Sequence, residues 1–430
     1  MTYAETLTPQ QRQKYEKHAI LSTWFGCISE QMIDSNALIV LYIVMLGGND
    51  SMSMFSTSLS SVASVVLLIF CAGLAVKFGL RMTYSAACIV GSLSFLTIAA
   101  APYAGDYAQN IVIGSTFIYS LTRPVYSSSW YPLLDNFLLP EGRSKFFGKM
   151  RFSYMLLNTV LIYAMGKLLG AKPPILVVQA LFVFGGLMLL GRKFEMDRMP
   201  LNPNAKREPV NIPLALGICI KNGPLVGFSI YSCLVNIAFY AAVPLAVVYM
   251  KTCLNFNAES LMTFSSVGLL GSIIGYAAVG RLLPKFKTKK CLIGTHIAGL
   301  LVCILLLIAT PENPLLKPIL YLTFFLNGFV SAFMLCINSI EMLALARPGN
   351  KVMAMAFVAT VTNLGTAVGR LGTTLILWTG ALAATWNFGG MTMTKFQFLF
   401  GFYTFAMVFF LILLPLAPAV IPKHHDYYHP

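Results

Sequence analysis

Twelve apolar stretches follow one another along the chain, each near the roughly 20 residues a helix needs to cross the hydrocarbon core of a bilayer. They fall at residues 19–47, 52–76, 82–103, 108–134, 148–170, 173–191, 224–250, 258–283, 290–310, 316–344, 352–380 and 396–420. In lipid every backbone N–H and C=O must be satisfied within the segment, so stretches of this kind cross as helices. Of the 430 residues, 57% are hydrophobic and 10% charged. A soluble domain carries about 25% charged residues, so lipid must be part of this chain's solvent. The expected fold is an all-α integral membrane protein of twelve transmembrane helices. The polar segment Met1–Lys17 precedes an apolar stretch with no small-residue cleavage pattern, which reads as a first span rather than a removed signal.

The net charge of +15 does not point to nucleic acid, because the basic residues sit in short loops between apolar spans. There they act as topology signals. With the N-terminus inside, 23 of the 30 Lys and Arg residues fall in inner segments, among them Arg12, Lys14, Lys17, Lys149, Arg151 and Lys290. Five fall outside (Lys167, Lys172, Lys251, Lys317 and Lys395), and two, Arg123 and Arg370, lie deep within spans. This bias predicts both termini in the cytoplasm and a multi-pass protein of the cell membrane, the inner membrane if the cell is bacterial. The nine cysteines, including Cys27, Cys71, Cys88, Cys233, Cys303 and Cys336, show neither metal-ligand spacing nor a disulfide framework.

The longest polar connection, Gly191 to Asn222, divides the chain into an N-terminal bundle (1–191), a cytoplasmic linker (192–222) and a C-terminal bundle (223–430), six helices in each bundle. The halves echo each other. Lys77-Phe78-Gly79-Leu80-Arg81 follows span 2, and Lys285-Phe286-Lys287-Thr288-Lys289 follows span 8. Asp135 ends span 4 and Glu341 ends span 10. Gly166-Lys167 in span 5 matches Gly369-Arg370 in span 11. Three matches in one order, each offset by roughly 200 residues, argue for a duplicated unit, the pattern of carriers that rock two related halves around a central site.

In these features the chain resembles the major facilitator superfamily. The helix count, central linker and basic loops extend the resemblance over the whole chain. The family's loop signature between helices 2 and 3 is matched by Lys77, Gly79 and Arg81, with Val76 in place of its acid. The second copy keeps Gly280, Lys285 and Lys289, with Pro284 in place of the acid. The run Leu139-Pro140-Glu141-Gly142-Arg143 is similar to the family's loop between helices 4 and 5. The resemblance implies two bundles related by a pseudo-two-fold axis, a cavity lined by helices 1 and 4, and a gate at the inner loops. Lys77, Gly79, Arg81, Asp135, Arg281, Lys285 and Glu341 are the candidate gating residues. Asp135 and Glu341 are expected either to pair with the basic loops in place of the missing acids or to be ordinary interfacial charges. Helix 5 lacks the Gly-Pro motif of drug–proton antiporters.

A charge at the bilayer centre costs at least about 2.5–3.5 kcal/mol, so such residues are few and face the interior. Glu30 and Asp34 are four apart on span 1 and share one face. Arg123, near the middle of span 4 and followed by Pro124, is positioned to pair with Glu30 or Asp34. Making and breaking that pair would bind and release a proton; a permanent structural ion pair is the competing reading, and direct binding of an anionic substrate by Arg123 a third. Tyr126, Trp130, Tyr231, Asn236, Tyr240, Asn327 and Asn338 are candidate substrate contacts, or else polar packing between helices. Arg370 is expected either to bind substrate or to snorkel outward. His296 reads as packing. His424, His425 and His429 lack partner ligands, and no metal or other cofactor is assigned.

The expected function is secondary transport of a small polar solute, a sugar or an organic anion, by alternating access. The sequence points to proton-coupled symport by a monomer. An uncoupled facilitator or exporter is the alternative, and a polytopic enzyme is disfavoured because no catalytic cluster, phosphate loop or nucleophile–base pair is present.

Overall fold

The computed structural model describes residues 3–71, 73–139, 143–202, 211–347, 350–388 and 391–416. The C-terminal histidines and loop residues 140–142 of the sequence reading lie outside these. Ten helices are long and apolar enough to cross a bilayer, eleven counting one bent pair. One of the ten, Leu80–Leu134, is 55 residues long, far more than a single crossing requires. Non-helical Gly105 (φ 57°, ψ −124°) breaks it inside the 3-10 turn Ala101–Tyr107, and the two arms pack against each other. They are therefore two spans, which brings the count among the described residues to twelve.

The spans are α1 (Pro9–Asp34 and Ala37–Met45, bent by 53°), α2 (Asp50–Cys71), α3 (Leu80–Ala100) and α4 (Ala108–Leu134). Next come α5 (Arg143–Leu169), α6 (Ile175–Asp197), α7 (Gly223–Thr252) and α8 (Ala258–Leu283). The last are α9 (Lys290–Ile308), α10 (Leu316–Leu345), α11 (Lys351–Thr379) and α12 (Lys395–Leu416). Helical hydrogen bonding runs on from α8 into α9, yet the Cys291 thiol donates to the Leu282 carbonyl at 3.8 Å. Nine residues of straight helix would hold those groups about 13 Å apart, so the chain reverses there. An antiparallel hairpin, β1 (Thr385–Phe388) with β2 (Met391–Thr394), joins α11 to α12.

Sequence dictates the ends of several helices. Thr8 and Gln11 form a capping box before Pro9: Thr8 Oγ accepts from Gln11 N at 3.2 Å, and Gln11 Oε1 accepts from Thr8 N at 2.9 Å. This starts α1 ten residues earlier than hydropathy predicts. At the other end of the N-terminal half, α6 runs to Asp197, past the boundary placed at residue 191. The connection that follows carries a further short helix, Ile212–Ile220.

The helices form two six-helix bundles, α1–α6 and α7–α12. Contacts between the bundles run chiefly along α2 with α11 and α5 with α8. Small residues allow close approach within and between helices. A Cβ on Gly369 would lie 2.0 Å from the Ile237 carbonyl oxygen, and one on Gly328 would lie 1.8 Å from that of Gly268. Leu93, Leu187, Ile297 and Phe405, on α3, α6, α9 and α12, are exposed apolar side chains that suit a lipid boundary.

Candidate functional site

α1 stops at Asp34, near mid-depth, because Asn36 adopts a left-handed conformation (φ 59°) that a helix cannot continue through. Asn36 Nδ2 donates to the Asp34 carbonyl at 3.0 Å and holds the break. Helix carbonyls at such an end carry partial negative charge, and the Asp34 carboxylate adds to it. Arg123 of α4 answers both. Its Nη1 and Nη2 reach Asp34 Oδ1 and Oδ2 at 2.7 and 2.8 Å, a two-pronged pair. Nη1 also lies 3.5 Å from Ser60 Oγ on α2. The two side chains are 31% and 38% exposed at this depth, so open space reaches them.

Glu30, one turn earlier, does not pair with Arg123. It takes a hydrogen bond from Arg192 Nη1 at 2.7 Å. Arg192 is the charge that hydropathy misplaced: it stands in α6, buried, not in the linker. Its guanidinium lies over Gly26, where a Cβ would fall 1.4 Å from Cζ, and over the ring of Tyr126 at 4.1 Å. Tyr126 in turn stacks on Trp130 at 5.8 Å. A cavity of about 190 Å³ is lined by Thr23, Cys27, Glu30, Arg123, Tyr126, Ser127, Trp130, Tyr154 and Arg192. Cys27, Tyr154 and Arg192 in this wall were not anticipated as site residues.

The C-terminal half contributes a different set. Tyr240 of α7 lies near Ser331 of α10, and Asn327 lies one turn from Ser331 on the same helix, half-buried. Asn236 Nδ2 donates to the Thr362 carbonyl at 3.1 Å. The Oδ1 atoms of Asn236 and Asn338 are buried with no hydrogen-bond partner among the described residues. Tyr231 turns elsewhere. Its hydroxyl meets His296 Nδ1 at 2.5 Å, while His296 Nε2 contacts the Met407 carbonyl at 2.9 Å, so Tyr231 locks α7 to α9 and α12.

Arg370 does not snorkel. The exposed apolar residues Leu364, Val368 and Leu375 mark the outer face of α11, and Arg370 lies about 200° around the helix from Val368. Its Nε donates to the Tyr240 carbonyl at 2.9 Å, and Nη1 donates to the carbonyl of Thr57 on α2, in the other half. It also interacts electrostatically with Asp34.

Of the gating candidates, Gly79 has φ 90° and starts α3, and Arg81 beside it interacts with Tyr84 and Asp197. Asp197 accepts from Tyr84 Oη and Lys193 Nζ, each at 2.7 Å. Lys77 and Lys285 stand over the neighbouring rings of Phe78 and Phe286, Arg281 is exposed, Asp135 caps α4 and Glu341 is buried near the end of α10. Charged links between the halves lie at the opposite end. Lys167 of α5 meets Glu259 of α8 at 2.5 Å, Glu259 N donates to the Gly170 carbonyl at 3.1 Å, and Lys395 pairs with Asp50. Every residue of Ala37–Ile43 and of Leu245–Met250 is at most 1% exposed. The molecule is sealed above Asp34 and Arg370, and the site opens toward the end that carries the N-terminus.

The model of the Major Facilitator Superfamily matches residues 20–370. The chain belongs to that family. It is a multi-pass membrane transporter and not an enzyme. Among solved structures it is similar to the nucleoside transporter NupG, at 13% identity and TM-score 0.69, covering 96% of this chain and 100% of that one. It is also similar to a POT family transporter in complex with a thioalcohol-conjugated peptide (11% identity, TM-score 0.67, 95% and 96% covered). A further POT family structure, in complex with 5-aminolevulinic acid, matches at 11% identity and TM-score 0.66, with 95% and 96% covered. At these identities the likeness is one of fold. No curated protein sequence matches this chain.

Proposed function

We propose that this superfamily member is a proton-coupled symporter of a small polar solute, working as a monomer in the cell membrane with both termini in the cytoplasm. The observation that carries the reading is the two-pronged Asp34–Arg123 pair at mid-depth, with Arg370 of the other half bonded to α2. Arg123 is bound to Asp34 within the N-terminal half. Arg370 acts on it from the C-terminal half. Glu30 and Tyr119 also bear on Arg123 electrostatically.

Rocking leaves the Asp34–Arg123 distance within one half and changes the Asp34–Arg370 distance between halves. A carboxylate near a cation stays charged, and one deprived of that cation in a poorly solvated site takes up a proton. With the far side open, Arg370 is withdrawn and Asp34 takes a proton from outside. With the far side sealed, Arg370 returns and drives the proton off to the inside. Glu30, held by buried Arg192, keeps the helix in register, and Tyr126 and Trp130 offer ring faces to solute in the cavity. Structural relatives that carry nucleosides or bind peptides support a small polar cargo.

The test is uptake into proteoliposomes under an imposed pH gradient, inside alkaline. Wild type accumulates solute above equilibrium. Asp34→Asn loses accumulation and keeps solute exchange. If accumulation persists in both Asp34→Asn and Glu30→Gln with unchanged pH dependence, the protein is an uncoupled facilitator and the reading fails.

A further inference from the structure

We infer that the transported solute is an anion, and that its negative group is received by Arg370. This rests on the transporter reading and narrows it to a substrate class. Five charges stand in the middle of the described membrane region: Glu30, Asp34, Arg123, Arg192 and Arg370. Two arginines are matched one-to-one by the two acids. Arg370 is left over. Two of its donor groups are met by neutral backbone carbonyls, those of Tyr240 and Thr57, and no carboxylate pairs with it among the described residues. A guanidinium has five N–H donors in a fixed fork, so Arg370 retains capacity for a planar anionic group.

With Arg370 included, three arginines face two acids in the middle of the described membrane region, an excess of one cation. A passage bounded by low-dielectric walls focuses such an excess and concentrates solutes of opposite sign. A neutral solute would leave Arg370 without an anionic partner of its own, a costly arrangement in a membrane interior.

The place of Arg370 gives the anion a mechanical role. Its bond to the Thr57 carbonyl crosses from α11 to α2, the contact along which the halves meet below the seal. An anionic group on the remaining N–H donors of Arg370 sits beside that cross-link, so occupancy bears directly on the contact between the halves. The anion also offsets the field that Arg370 exerts on Asp34.

The test uses four matched pairs of probes: glucuronate and glucose, succinate and succinamide, benzoate and benzamide, uridine monophosphate and uridine. Each is added to purified protein in detergent at low salt, and the unfolding temperature is read. In at least one pair the anion raises it and the neutral partner does not. Arg370→Gln abolishes that rise and Arg370→Lys keeps part of it, which separates loss of charge from loss of fold. Rises with neutral members as large as with anions, no rise with any anion, or a rise that survives in Arg370→Gln each overturn the assignment. Neutral-solute uptake that is pH-driven and dependent on Asp34 removes the anion and leaves the symporter; an anion bound through Arg370 but carried without pH drive does the reverse.

Discussion

Gly26 has no side chain because the space above it belongs to Arg192. Any Cβ there drives the guanidinium off Glu30 and leaves a half-buried carboxylate alone. Breaking a buried pair by removing one partner costs about 3–5 kcal/mol, whereas replacing both can be nearly neutral. Gly26→Val and Arg192→Gln are therefore both expected to lower the unfolding temperature sharply. The double variant Glu30→Gln with Arg192→Gln should recover much of the loss, a recovery that a double-mutant cycle on unfolding temperatures will detect. Glu30, Asp34 and Arg123 were legible in the sequence because a charge at mid-depth has no bland place to go. Arg192 was not. It opens a run of charges after Gly191, and hydropathy cannot separate the end of a span from a charged turn that stays helical. The spacing of Lys193 and Asp197, four apart and paired at 2.7 Å, was the available hint that the helix continues. Tyr231 could be recognised as a polar residue in a span, but its partner His296 lies 65 residues away, and periodicity does not say which face meets which helix.

At the scale of elements, α1 matters most because it is interrupted. The break puts helix carbonyls, Asp34 and Arg123 together at mid-depth, in the manner of carriers that bind ions at discontinuous helices. Asn36 holds the break in a backbone conformation that costs most residues about 1–2 kcal/mol and costs glycine almost nothing. Asn36→Gly should keep the bend and uptake with a loss of only about 1 kcal/mol for the missing Nδ2 hydrogen bond, and Asn36→Val should lose both uptake and stability. Equal behaviour of the two variants would mean that the bend does not depend on this residue. The twelve spans were readable to within a few residues at most ends, because lipid forces helices and composition marks them. The bend was not readable: Asp34-Ser35-Asn36 sits between two apolar runs that a sliding window joins. The β1–β2 hairpin was missed for the same reason, since its Thr and Met residues read as a polar loop between spans.

The whole molecule is held closed at one end by the paired charges Lys167–Glu259 and Lys395–Asp50, by the tightly packed Ala37–Ile43 and Leu245–Met250, and by the Arg370 link beneath them. The account ties opening of this end to protonation of Asp34. If Asp34 has the higher proton affinity when the far side is open, lowering the pH must populate the open form. The distance between spin labels on Tyr103→Cys and Glu312→Cys, exposed at that end of the two halves and placed in a background lacking native cysteines, reads this directly and needs no substrate. On going from about pH 8 to pH 5 the labels should move apart in the wild-type background. With Asp34→Asn they should stay apart throughout. A distance that ignores pH in the wild-type background, or a pH response that persists unchanged in Asp34→Asn, would contradict the account.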